Sequence, residues 1–153
     1  MIKNLVFHEE LLSKHCEPVD LDESVLLPEA QDLLDTALHH KHHNRVGCLG
    51  LAANQINIFK RFFAVLIDDK FIIMVNPVII PNKAAGVIGG VEGCLSRPGQ
   101  GTIWTKRFVK IRVQYNEVFK GEIILKKRKE ITVKKLTARV VQHEVDHLNG
   151  VLI

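Results

Sequence analysis

No apolar run in this chain comes near the roughly 20 residues that a membrane-spanning helix requires. The stretches at 71–75 and 75–80 are interrupted by Asn76-Pro77 and Pro81, and the opening Met1-Ile2-Lys3-Asn4 leads into no signal-peptide core before Glu9 and Glu10. A cytoplasmic protein with no membrane partner is therefore expected. Cysteine is scarce as well. Three residues, Cys16, Cys48 and Cys94, are an odd count in a chain without an export signal, which argues against a disulfide framework and for free thiols or ligands. Repeats, low-complexity tracts and linkers are missing too. At 153 residues and 46% hydrophobic content, one compact domain over 1–153 is expected, burying about 70% of its unfolded surface.

What is present is unevenly charged. Residues 105–139 hold 12 Lys/Arg against 3 Asp/Glu, whereas residues 1–104 hold 9 against 12. The basic run Lys126-Lys127-Arg128-Lys129 and Lys134-Lys135 could meet RNA phosphates, and it could equally be a set of solvated strand and hairpin faces.

Chemistry concentrates near the end of the chain, in Gln142-His143-Glu144-Val145-Asp146-His147. On a helix, residues i and i+4 share a face, so His143 and His147 can point at one ion while Glu144 falls beside it. Catalytic metal sites typically use three protein ligands and keep a position for water. Cys94, in Glu92-Gly93-Cys94-Leu95-Ser96, is the candidate third ligand. For Cys16 the plain assignment is a small apolar side chain.

The remaining pattern gives the elements. Pro28-Glu29 suits a helix start, and Ala30, Leu33, Leu34, Ala37 and Leu38 follow at helical spacing as a core face. That helix runs out in His39-His40-Lys41-His42-His43-Asn44, read as an exposed helix end that welcomes cations, with metal affinity as the alternative. Residues 62–67 and 71–75 flank Asp68-Asp69-Lys70 as a hairpin. Val109, Ile111, Val113 and Tyr115 alternate with polar residues as a half-buried strand. Further strands are expected at 122–125 and 130–133, before a last helix beginning near Lys134. On that helix Leu136, Val140, His143 and His147 share one side, which would put the metal at a helix–sheet junction. The class is α+β: small mixed or antiparallel sheets around a C-terminal metal-binding helix, with an N-terminal helix.

Three segments, Gly50-Leu51-Ala52-Ala53-Asn54-Gln55, Glu92-Gly93-Cys94-Leu95-Ser96 and residues 142–150, resemble in order and spacing the three signature motifs of the peptide deformylases. The resemblance implies hydrolysis of the formyl group of N-formylmethionyl nascent peptides, releasing formate. It implies one divalent metal on Cys94, His143 and His147, usually Fe(II) in the cell, with Ni(II), Co(II) or Zn(II) able to replace it. It makes Glu144 the general base and assigns oxyanion donors to the Gln55 side-chain amide and the backbone N–H of Leu95. Leu49, Gly50, Glu92 and Gly93 would lie along an extended substrate. Glu92 could also hold a ligand imidazole or an arginine such as Arg139, and Asp146 would be a supporting residue.

Two departures from the family pattern stand out. Cys48 takes the place of the first glycine of Gly-x-Gly-Leu-Ala-Ala, beside the expected substrate strand, where it could add a ligand or an oxidation partner for Cys94. Ile153 follows closely on Gly150, where bacterial relatives generally continue, a layout shared with phage-encoded members and one that would bear on ribosome docking through the basic 105–139 region. In a phage-encoded case the site of action would be the host cytoplasm. Two further classes of function stand beside the deformylase. A His-Glu-x-x-His metalloprotease would give Cys94 and Gln55 no comparable roles, and a catalytically impaired paralogue would serve as a metal-containing peptide- or ribosome-binding module.

Overall fold

The computed structural model describes residues 1–43, 47–119, 122–123 and 128–153. Helices α1 (Glu9–Leu12) and α2 (Glu23–His43) precede strands β1 (Gly50–Ala52), β2 (Phe62–Ile67), β3 (Lys70–Pro81), β4 (Val87–Gly93), β5 (Thr102–Phe108), β6 (Lys110–Phe119), β7 (Glu122–Ile123) and β8 (Lys129–Lys134). Helix α3 (Lys135–Leu148) closes the order. One antiparallel sheet runs β1-β2-β3-β6-β7, with β8 also pairing β6, and β4 and β5 form a separate two-stranded ribbon. This is the α+β class read from the sequence, with every strand ladder antiparallel among the described residues.

The expected hairpin forms: Phe62 faces Val75 and Ile67 faces Lys70. Its turn residues Asp68 and Asp69 take φ of 48° and 60°, as a tight two-residue turn between right-twisted strands requires. The interruption at Asn76-Pro77 does not end the strand. Asn76 sits at φ 50° in a bulge between Val75 and Val78, and β3 resumes beyond it. The freed Asn76 amide exchanges two hydrogen bonds with the Val19 backbone, at 2.8 and 2.9 Å, and so pins the N-terminal segment to the sheet.

Helix α2 begins earlier than the Pro28 start expected from sequence. Asp22 caps it, accepting from the backbone N–H and the hydroxyl of Ser24 at 2.9 and 2.7 Å. Pro28 then lies inside the helix, past the first turn, where its missing N–H removes one i→i−4 bond. The strand expected at 109–115 runs Lys110–Phe119 with Ile111, Val113 and Tyr115 buried as read. Of the strand expected at 122–125, residues 124–125 lie outside those described, as do Asn44 of the histidine run and Lys126-Lys127 of the basic run.

Two apolar clusters sandwich the sheet. Leu26, Ala30, Leu33 and Ala37 of α2 pack with Leu51, Phe62, Ala64, Ile73 and Val75 on one face. Ala138, Val141 and Leu148 of α3 pack with Phe63, Val65, Met74, Ile111 and Val113 on the other. Each fully buried side chain of this size contributes roughly 1.5–3 kcal/mol. The buried face of α3 is therefore rotated from the one expected: Leu136 is 59% exposed, Val140 is only partly buried, and Ala138, Val141, Glu144 and Leu148 point inward beside His143 and His147. The helix is gripped by the sheet on one side and by the ribbon on another, so its polar, ligand-bearing arc is buried along with its apolar one. No helix among the described residues is long and apolar enough to cross a membrane.

Candidate metal centre

Helix α3 supplies both imidazoles one turn apart, with ring centroids 5.0 Å from each other. The turn after β4 brings Cys94 against them, its Sγ 3.3 Å from His147 Nε2. Cys94, His143 and His147 each offer a donor atom within 4.8 Å of the others, and they form the one such group of three among the described residues. Sequence placed these three together, and the fold brings them together from elements some 50 residues apart.

Glu92 is the pivot behind the ligands. Its carboxylate accepts from His143 Nδ1 at 2.9 Å, from Arg107 Nε and Nη2 at 2.9 and 3.0 Å, and from Arg139 Nη1 at 2.9 Å. Because a carboxylate can only accept, His143 Nδ1 carries a proton, which leaves Nε2 as the nitrogen that can turn to an ion shared with Cys94 and His147. Burial opposes ionisation of Glu92, yet the bonds from His143 and Arg107 outweigh it and hold the carboxyl down at about 2. Its side chain is thus buried and fully engaged, turned onto His143, with its backbone left in β4 between exposed Val91 and Gly93.

Proton affinity is divided sharply within the set. Burial works against a charge on His143, but the Cys94 and Glu92 bonds raise it to about 10, with Glu144 adding to the pull. Burial, then repulsion from His143, Arg97 and Arg107, drives His147 down to about 3. Burial pushes Glu144 up to about 7, with His143 and Arg107 pulling the other way. A cation seated among the donors displaces the shared proton and favours the Glu144 carboxylate. Glu144 Oε2 and His147 Nδ1 are buried without a hydrogen-bond partner among the described residues. One soft and two borderline donors converge beside an unpartnered buried carboxylate, a set that fits a divalent transition ion with room for water.

Gln55 enters from the 3-10 turn at Ala53–Ile56. Its Oε1 accepts from the Ala52 N–H at 2.9 Å, which fixes the amide so that Nε2 points to Cys94 Sγ at 3.6 Å and Ser96 Oγ at 3.1 Å. Leu95 follows Cys94 in the same turn and packs on the α2 cluster. Gly50 lies against Glu144: a β-carbon there would stand 2.8 Å from Glu144 Cδ. Leu49 is 40% exposed next to it. Cys48, just before strand β1, turns its side chain into the core. It is 2% exposed inside the α2 cluster, donates to the Gly50 carbonyl at 3.2 Å, and is pushed up to about 12 by burial and then by Glu144. It is not part of the donor group.

Several residues with supporting roles carried no signal in the sequence reading. Arg107 was one of a dozen cations in a basic stretch, yet it is 9% exposed and bridges Glu92 to Asp146, the latter at 2.5 Å from Nη1. Gln142 clasps the Phe108 backbone in both directions at 2.9 Å, stitching β5 to α3. Ser96, 1% exposed, anchors Gln55, and buried Asn54 donates to the His147 carbonyl at 2.8 Å. A buried carboxylate such as Glu92 demands a cation, and that demand is the one signal that pointed toward an arginine.

A cysteine–imidazole cluster flanked by a buried carboxylate, centred on a helix wedged between two antiparallel sheets, defines the class as a metal-dependent hydrolase. The sequence model of the polypeptide deformylase family matches residues 2–153, and the chain belongs to that family. It is 33% identical over 153 residues to the peptide deformylase of Thermotoga neapolitana, covering 100% of this chain and 85% of that one. With the peptide deformylase of Clostridium botulinum strain Alaska E43 the identity is 36% over 147 residues, covering 95% and 89%. The crystal structure of peptide deformylase from Thermotoga maritima superposes with a TM-score of 0.80 at 31% identity, covering 99% of this chain and 94% of that one. The family and fold are those of enzymes that remove the N-formyl group from nascent peptides.

Proposed function

We propose that residues 1–153 act as one catalytic domain that hydrolyses the formyl amide of N-formylmethionyl peptides, with Cys94, His143 and His147 holding the metal. The observation that carries this assignment is the convergence of those three donors beside Glu144 and Gln55, each of which then has a task. The bound ion, Fe(II) in the cell and Ni(II), Co(II) or Zn(II) in preparations, supplies Lewis-acid activation of water at neutral pH. Glu144 takes the proton from the attacking water and delivers it to the departing amine nitrogen. The Gln55 amide and the Leu95 N–H donate to the oxyanion, and removing one such donor elsewhere costs about 3–4 kcal/mol of barrier.

Substrate would enter as an added strand. Strand β1 pairs only with β2, and β4 only with β5, so each keeps one edge free among the described residues, at Leu49-Gly50 and at Glu92-Gly93. The binding-module alternative rested on Cys48 obstructing that strand, and Cys48 is packed in the core instead. Ribosome approach through the basic 105–139 region is part of the same proposal, and salt-sensitive co-sedimentation with ribosomes would test it.

The deciding experiment is anaerobic release of formate from formyl-Met-Ala-Ser by Fe(II)- or Ni(II)-loaded protein, alongside Glu144→Ala. We expect release that falls at least about 100-fold in the variant. No release from folded, fully metallated protein would overturn the proposal. Air exposure of the iron form should remove activity through oxidation of the ion and of Cys94.

A further inference from the structure

Helix α2 ends in His39-His40-Lys41-His42-His43, on a different element from the site above. At about 100° per residue, the four imidazoles fall within one arc of about 160°, with the lysine on the far side of the helix. Lys41 points to Asp69 of the β2–β3 turn, 3.8 Å from its Oδ1, which keeps its charge off the imidazole face. The His39 and His43 rings lie one turn apart with centroids 4.4 Å from each other and planes 21° apart, and His40 meets His39 edge-on at 5.3 Å. His43 Nδ1 lies 2.8 Å from the His39 carbonyl. Since a carbonyl only accepts, Nδ1 holds the proton and Nε2 keeps its lone pair, the way metal-binding imidazoles are commonly oriented from behind. The negative end of the helix dipole adds to the attraction for a cation.

We propose that the C-terminal turn of α2 is a second divalent-metal site, in which His39 and His43 chelate the ion with His40 as an adjoining donor. An all-imidazole set, with His43 exposed and His39 and His40 half-buried, selects Cu(II), Ni(II) or Zn(II) over Fe(II), in contrast to the sulfur-containing set around α3. The stacked His39 and His43 rings must turn about their side-chain torsions for both to face one ion, a rotation that needs no change in the backbone.

The test is equilibrium dialysis of untagged protein against Ni(II), followed by metal analysis. The parent should bind two ions per chain, and His39→Gln/His43→Gln should bind one while keeping its formate release unchanged. Cys94→Ser/His143→Ala should also keep one, and Cu(II) bound to that variant should show coupling to imidazole nitrogen in its electron paramagnetic resonance spectrum. A single ion in the parent, or a second ion that persists in His39→Gln/His43→Gln, would overturn the proposal. Stoichiometry is read without reference to turnover, so the outcome is independent of whether the protein deformylates.

Discussion

Gly50 shows how tightly Glu144, the proposed general base, is boxed in. A methyl group there would overlap the Glu144 carboxylate, which is itself buried, so the carboxylate would have to shift. Gly50→Ala should therefore displace Glu144 rather than unfold the protein. A displacement of about 1 Å at a reacting group costs on the order of 100-fold in rate. Formate release should fall by that factor while the thermal midpoint moves by only a few degrees, and a fully active alanine variant would show that Glu144 is not held as described. Arg107 makes a complementary case. It is the cation shared by Glu92 and Asp146, so Arg107→Ala leaves Glu92 buried with fewer donors, a defect that costs about 3–5 kcal/mol when a buried pair is broken. Loosening the carboxylate that orients His143 should also weaken metal affinity by roughly 10- to 100-fold, measurable by competition with a chelator. Arg107→Lys should recover the charge but not the two-nitrogen fork onto Glu92, and should fall between parent and alanine variant. The proposed ligands were legible because their signal is local: His143 and His147 declare a shared helix face by spacing alone, and Cys94 sits in the motif Glu92-Gly93-Cys94-Leu95-Ser96. Arg107, Ser96 and Asn54 were not legible, because what distinguishes them is burial against partners distant in sequence.

Among the elements, the sequence concealed α1, β1 and, with most effect on the site, the β4–β5 ribbon. Strand alternation depends on side chains, and β4 carries Gly89, Gly90 and Gly93, whose faces are filled by neighbours from elsewhere. Trp104 of β5 lies over Gly89, and the Arg139 guanidinium lies over Gly90, 2.9 Å from where its β-carbon would be. Strands β6 and β8 were readable because each carries its own apolar and polar residues, and β2 because Phe62–Ile67 is a short unbroken apolar run. The end of α3 is fixed in a similarly partner-dependent way. Gly150 has φ of 71° and a β-carbon there would press into the Ser13 carbonyl, while Cys16 N–H donates to the Leu148 carbonyl at 2.9 Å, so the segment after α1 meets the end of α3 through closely approaching backbone. Gly150→Ala combines left-handed strain of about 1–2 kcal/mol with that collision. It should lower stability in urea titrations by at least that amount and loosen the helix that bears His147. An unchanged midpoint would mean the junction yields easily.

At the scale of the whole molecule, stability should carry an alkaline signature from the thiols that do no chemistry. Cys16 is fully buried, and burial, reinforced by Glu17 and partly offset by Arg61, raises it to about 11; Cys48 is raised further, to about 12. In the unfolded chain both titrate near 8.5. The folded state therefore keeps protons that the unfolded state has already released, and stability falls with rising pH over that window. Below about pH 8 the contribution is fully present. It is lost progressively as pH climbs through 9 and 10 and is spent for Cys16 beyond about 11, amounting to roughly 3 kcal/mol for that thiol at about 1.4 kcal/mol per unit. Urea denaturation at pH 7, 9 and 10.5 should show this decline in the parent. Cys16→Ala should start lower at pH 7 because a small cavity is left, and then fall less steeply, so that the two proteins converge as pH rises. Parallel declines would mean that the Cys16 thiol ionises as readily in the folded protein as in the unfolded chain, and that the cluster around it admits water.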